Sequence, residues 1–138
     1  GLPLNSTGCA PVNPLTYGIA SFPSIHAIGD SCAGPSSDGK PVPKSGHMAN
    51  QQAKLAAAAI LNLLSGSEPS QTPLVMNTCY SFVDAKQAAH VASVHTYDRA
   101  TRTMQPVKGA GGVSAARNEI EGRLALGWAK NSWADMLT

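Results

Sequence analysis

Apolar and polar positions change rhythm several times along the chain. Residues 1–24 mix single apolar residues with Pro, Gly, Ser and Asn, which predicts turns and at most one short strand, from pieces such as PVN and LTYGIA. Ile25, Ala27 and Ile28 then form a short apolar run that stops at Gly29 and Asp30, predicting a buried strand over 25–28. The breakers crowded into AGPSSDGKPVP, residues 33–43, predict a loop. From Ser45 the rhythm becomes helical: Met48, Leu55, Ala59 and Leu63 fall at helical spacing, and alanine fills most of the remainder. Ser45 supplies an N-cap and Gly66 a C-cap, so the spacing predicts a helix over 45–65. Being apolar nearly all round, that helix is expected to be buried on several sides.

SGSEPSQTP, residues 65–73, reads as a linker, and the pattern changes beyond it. NTCYSFV (77–83), HVASVHTY (90–97) and TRTMQPV (101–107) are rich in β-branched and aromatic residues and predict strands. The last two join through the DRA turn as a hairpin. KGAGGVS, residues 108–114, reads as a glycine-rich connector to a final helix that Ser114 caps and that runs to about Met136. On it Ile120, Leu124 and Trp128 make one apolar stripe, and Leu126, Trp133 and Leu137 another. Two stripes imply a helix held between layers or one meeting a partner.

The composition narrows the function classes. Only 13% of the 138 residues are charged, against roughly 25% in ordinary soluble chains, so the surface is either tightly packed or normally covered. The net charge of +2 comes without a basic run, which argues against nucleic acid. LAAAAILNLL, the longest apolar stretch, is far too short to span a membrane, and the opening residues lack the basic segment and apolar core of an export signal. Cys9, Cys32 and Cys79 include no C-x-x-C pair, and the four histidines form no ligand motif, so no metal site is expected.

Candidate chemistry is sparse. Gly29 and Asp30 at a strand end either make an ordinary turn or let a ligand approach, with Asp30 accepting hydrogen bonds from a polyol. The helix that begins near Ser45 would point its positive end toward the same edge and favour an anion there. Cys79, between Thr78 and Tyr80, is by default an inert small apolar residue and otherwise a redox thiol. His90 and His95 are expected on opposite faces of one strand, in structural or surface roles, and Trp128 and Trp133 in the core. A Ser-x-x-Lys pair or a Ser-His-Asp triad can be drawn on paper, but no nucleophile-elbow pattern supports either.

IHAIGDSC, PKSGHMANQQAKLAAAAILNLLSG, NTCYSFVDAKQAAHVASVH, KGAGGVSAARNE and GWAKNSWADML together resemble the C-terminal part of the flavoprotein subunit of flavocytochrome c sulfide dehydrogenase. The resemblance runs from about Gly8 to the end and places the chain among flavoproteins of the pyridine-nucleotide-disulfide oxidoreductase type. It implies an α+β fold: residues 1–66 as the C-terminal remnant of an FAD-binding domain, and residues 67–138 as an interface domain, a small antiparallel sheet packed on a C-terminal helix. It implies that Asp30 binds a ribityl hydroxyl of FAD, that Gly29 permits close approach, and that the helix start at Lys44, Ser45 and Gly46 faces the flavin. Cys79 corresponds to one member of a redox-active cysteine pair, and Trp128 to a tryptophan near the flavin.

The implied activity is oxidation of sulfide through the cysteine pair and FAD, with electrons passed to a c-type cytochrome subunit in the periplasm. No G-x-G-x-x-G stretch is present, and Cys9 and Cys32 match neither the second redox cysteine nor the flavin-attachment cysteine. The resemblance therefore implies that those parts belong to an N-terminal remainder of the flavoprotein. This piece alone is expected to be inactive, to hold FAD weakly or not at all, and to form a homodimer through uncovered apolar surface. Rival readings are a sulfide:quinone reductase-like fragment and a non-enzymatic α+β assembly module.

Overall fold

The N-terminal third builds short pairings rather than a sheet. The computed structural model describes residues 1–34 and 41–137. Strand β1 (Ala10–Pro11) pairs in parallel with β4 (Cys32–Ala33), and β2 (Gly18–Ile19) pairs antiparallel with β3 (Phe22–His26). Asn13 shapes the turn between β1 and β2, its carbonyl accepting from the Tyr17 N–H at 2.7 Å and its side chain from the Leu15 N–H at 2.8 Å. Ala10, Val12, Tyr17, Ile19 and Cys32 collect into a small core closed by Ala56.

The strand expected at 25–28 is shifted and is not buried. β3 ends at His26, and Ile25 and Ile28 remain 41% and 37% exposed. β3 pairs with the two residues of β2, and no layer covers its outer face among the described residues. Gly29, at φ +65°, then turns the chain into a single 3₁₀ turn, Gly29–Ser31. Of the loop expected at 33–43, residues 35–40 lie outside the described residues, and Ala33 belongs to β4.

Helix α1 (Gly46–Leu64) follows its caps closely. The Ser45 hydroxyl accepts from the Met48 N–H at 3.1 Å. At the other end the Ser67 N–H reaches the Asn62 carbonyl and the Gly66 N–H the Leu63 carbonyl, with Gly66 at φ +73°, a Schellman ending. Burial is confined to one stripe, Met48, Gln52, Ala56 and Ala59, whereas Leu61, Leu63 and Leu64 are exposed. The expectation of burial on several sides is thus corrected: the N-terminal core and the sheet cover a single face. Met48, 1% exposed, packs with Val75 and Met104 in a second core.

Three long strands form the only extensive sheet among the described residues: β5 (Leu74–Phe82), β6 (Ala88–Asp98) and β7 (Thr103–Val113), antiparallel and in that order. Asp84 closes the first hairpin by accepting from the Lys86 and Gln87 N–H groups at 2.8 and 2.7 Å. The β6–β7 hairpin stands as expected, but KGAGGVS is not a loop: β7 runs through it to Val113. The register shifts between Ser93 and His95, and Gly111, at φ +94°, lies so close to β6 that a Cβ would collide with the Ala92 carbonyl. The glycines admit a bulge and a close backbone approach.

Helix α2 (Glu119–Leu137) is capped by Asn118, whose Oδ1 accepts from the Glu121 N–H at 2.9 Å, and not by Ser114. Reciprocal backbone bonds between Asn118 and Ala88 tie that cap to the start of β6. Gly122 and Ala125 are the buried positions of α2. Ile120, Leu124, Leu126, Trp133 and Leu137, from both expected stripes, are exposed. The fold is α+β: a helix and small pairings, then a three-stranded antiparallel sheet with a C-terminal helix on it.

Candidate functional site at the start of α1

The first turn of α1 gathers most of the candidate residues. The Gly29 N–H donates to Gln52 Oε1 at 2.6 Å, which satisfies a buried amide and presses the 29–30 turn onto the helix. A Cβ at Gly29 would lie 3.2 Å from that of Ala49, so both the positive φ and the fit favour glycine. Lys44 bridges back, donating to the Asp30 carbonyl at 2.5 Å. Gly29, Asp30, Lys44 and Ser45 thus line one small cleft with Met48 and Gln52. Gly46 opens the helix beside it without lining it. Asp30 is exposed and, among the described residues, hydrogen bonds run to its backbone carbonyl.

Cys79 lies in the middle of β5, opposite Val91, and faces a neighbouring groove of about 430 Å³. Pro41, Val42 and Pro43 form the ledge shared by cleft and groove. The Cys79 thiol donates to Asn77 Oδ1 at 3.4 Å, and the same oxygen accepts from the Ser45 hydroxyl at 2.5 Å. Cys79 is therefore two hydrogen bonds from the helix N-cap.

Trp128 is not part of cleft or groove. Half-buried on α2, it meets His47 edge-on at 5.8 Å and Tyr80 at a tilt, also at 5.8 Å. It borders a polar groove between the helices, where Asp135 takes hydrogen bonds from Asn50 and Lys54. Trp128 meets the α1 start through His47, whose pKa burial and then Lys54 lower.

All three cysteines are free thiols. The Thr7 side chain, and next the Lys44 ammonium with its Nζ 3.2 Å away, lower the Cys9 thiol pKa, while burial raises that of Cys32. His90 and His95 do fall on opposite faces: His90 meets α2, and His95 lines the Cys79 groove. His90 Nδ1 lies 2.8 Å from Glu121 Oε2 and 2.9 Å from Ser114 Oγ, and Ser114 also donates to Glu121 at 3.0 Å. Serine and carboxylate meet the same ring nitrogen, so this is a clamp holding α2 on β6 and not a nucleophile relay.

The clamp has a pH signature. Hydrogen bonds from His90 and, more weakly, Ser114 lower the Glu121 pKa from its ordinary 4.5. A carboxyl depressed in the folded state contributes stability above its unfolded value and loses it as pH falls through the folded one. Urea midpoints of the parent chain and Glu121→Gln are expected to differ at neutral pH and to converge as pH falls below 4.5. A constant gap would refute the clamp.

Sequence reasoning missed Asn77 and His47. Asn77 could have been flagged by alternation, since Val75, Asn77 and Cys79 share one face of β5 and an amide in that row demands a partner. No local signal marks His47.

A glycine–aspartate turn thus lies under a capped helix, with a strand cysteine alongside and a sheet–helix unit behind. Residues 71–137, from just before β5 to the end of α2, match the family of flavocytochrome c sulphide dehydrogenase, flavin-binding. Over this segment the chain matches that flavoprotein family, in agreement with the resemblance. Cys79 and Trp128 fall inside the match; Gly29, Asp30, Lys44, Ser45 and Gly46 precede it. Among the described residues no helix is long and apolar enough to cross a membrane.

Proposed function

We propose that this chain works as part of an FAD-dependent sulfide dehydrogenase, in which sulfide is oxidised through Cys79 and flavin and the electrons pass to a c-type cytochrome. The observation that carries the reading is the convergence at the start of α1: a cleft bearing Gly29, Asp30, Lys44 and Ser45, and Cys79 joined to the same turn through Asn77. The family match over 71–137 supports a flavin cofactor in this setting.

The residues present fit one end of FAD. The carboxylate of the exposed Asp30 would accept a ribityl hydroxyl, Gly29 would let the cofactor approach the turn, and Lys44 with the α1 N-terminus would favour negative charge. Bound FAD would supply a two-electron acceptor. Cys79 would be half of a disulfide whose other half lies on the N-terminal remainder. Hydrosulfide would attack that bond; the S–S bond breaks, one sulfur becomes a persulfide and the other leaves as thiolate. Trp128 would stand near the flavin on the α2 side.

In this reading residues 1–66 complete an FAD domain and residues 67–138 form the interface domain. The activity, in the periplasm, needs the remainder of the flavoprotein and the cytochrome, and the piece alone neither turns over sulfide nor retains FAD. The exposed Leu61, Leu63, Leu64, Trp133 and Leu137 support burial against such partners, or against a second copy of the isolated piece.

The test is flavin content and sulfide response of the intact flavoprotein. A flavin spectrum that bleaches on anaerobic addition of sulfide supports the reading; absence of flavin refutes it. Asp30→Ala removes a hydrogen bond to a charged acceptor, worth about 1.5–3 kcal/mol, so the flavin content of the purified intact flavoprotein is expected to fall. Unchanged flavin content would remove Asp30 from the site.

A further inference from the structure

Asn77 sits where the thiol and the helix start meet. It is 3% exposed and stands between Val75 and Cys79 on one face of β5. Its Oδ1 takes two donors, the Ser45 hydroxyl at 2.5 Å and the Cys79 thiol at 3.4 Å, filling both lone pairs of a buried amide oxygen. Ser45 is itself held, because its oxygen accepts from the Met48 N–H at 3.1 Å. An unbroken set of contacts therefore runs from the first turn of α1, through an N-cap hydroxyl and a buried amide, to the Cys79 sulfur.

We propose that Asn77 is the positioning residue of Cys79, selecting the side-chain rotamer that keeps the sulfur in register with the first turn of α1. The proposal rests on the reading of Cys79 as the redox sulfur. A cysteine on a strand has several staggered positions available, and donation to a fixed acceptor selects one. The amide is fixed because it is buried and because Ser45 engages the same oxygen. A neutral amide suits this place: it accepts a thiol proton without setting a negative charge beside a sulfur that must at times become thiolate. Asn77 acts through Cys79 and touches neither sulfide nor flavin in this scheme.

The S–H stretching band of Cys79 tests the contact directly. A difference infrared spectrum between the reduced intact flavoprotein and its Cys79→Ser variant isolates that band. A hydrogen-bonded S–H absorbs at lower frequency than a free one. In Asn77→Ala the band is expected to move up to the free position. In Asn77→Asp, which keeps an oxygen in place, it is expected to stay low. Ser45→Ala, which frees the amide to rotate, is expected to broaden it, and serves as the readout if Asn77→Ala does not fold.

An unmoved band in Asn77→Ala, or an unchanged band in Ser45→Ala where that variant is the one read, would overturn the proposal. A band that moves in a parent protein whose flavin never responds to sulfide would instead overturn the redox reading of Cys79 and leave the Asn77 contact standing.

Discussion

Replacing Cys79 by serine is expected to abolish sulfide-driven reduction of the flavin, by at least about a thousandfold, while the flavin stays bound. The oxygen of serine can still donate to Asn77 and fits the same half-buried place opposite Val91, so the strand and the α1 start should be undisturbed. What serine cannot do is form a disulfide or carry a persulfide, and sulfide then has no sulfur to attack. Cys79 is also separated from the cleft by the Pro41–Pro43 ledge, so the substitution leaves Gly29, Asp30 and Lys44 untouched. Anaerobic stopped-flow bleaching of the flavin checks this. Retention of more than a tenth of the parent rate would assign the chemistry to another sulfur.

The second large effect is structural. Gly122→Ala should destabilise the chain by about 2 kcal/mol or more, against the usual helical preference of about 1 kcal/mol for alanine over glycine. Gly122 lies in the first turns of α2 directly against the β5–β6 hairpin, and a Cβ there would collide with the Lys86 carbonyl, a backbone atom that cannot rotate aside. The helix must lift, and lifting separates Glu121 from His90 and Trp128 from Tyr80. A lower urea midpoint with an altered tryptophan emission is the expected result. Gly127→Ala, on the same helix with nothing within 4 Å of its Cβ, is the control and should gain up to about 1 kcal/mol. Equal behaviour of the two variants would mean that α2 is seated elsewhere.

The two glycines also show why part of the fold was hidden. Within the sequence Gly122 and Gly127 look alike, and KGAGGVS looks like a connector, because a glycine that turns a chain and one that lets a backbone pass carry the same local signal. Only the Ala92 carbonyl beside Gly111 makes that stretch a bulged strand. Ser114 and Asn118 pose the same problem. Both are good caps, and Ser114 is withdrawn from the role by its bonds to His90 and Glu121. Ile25 and Ile28 form an apolar run, yet a run is buried only where another layer exists to cover it.

The sequence by itself determined what nearest neighbours decide: α1 between Ser45 and Gly66, the β6–β7 hairpin, the opposite faces of His90 and His95, and a motif set specific enough for the family. Caps, turns and side-chain alternation act within a few residues, so they can be read in order along the chain. Tertiary structure alone decided that Gly29, Asp30, Lys44 and Ser45 share a cleft, that Asn77, bonded to Cys79, meets Ser45 across 32 residues of chain, and that α2 is seated through Gly122 and Ala125 and not through its larger apolar side chains. Those outcomes depend on which backbones approach closely and which buried polar atoms find partners, and both are set by contacts between segments far apart in sequence.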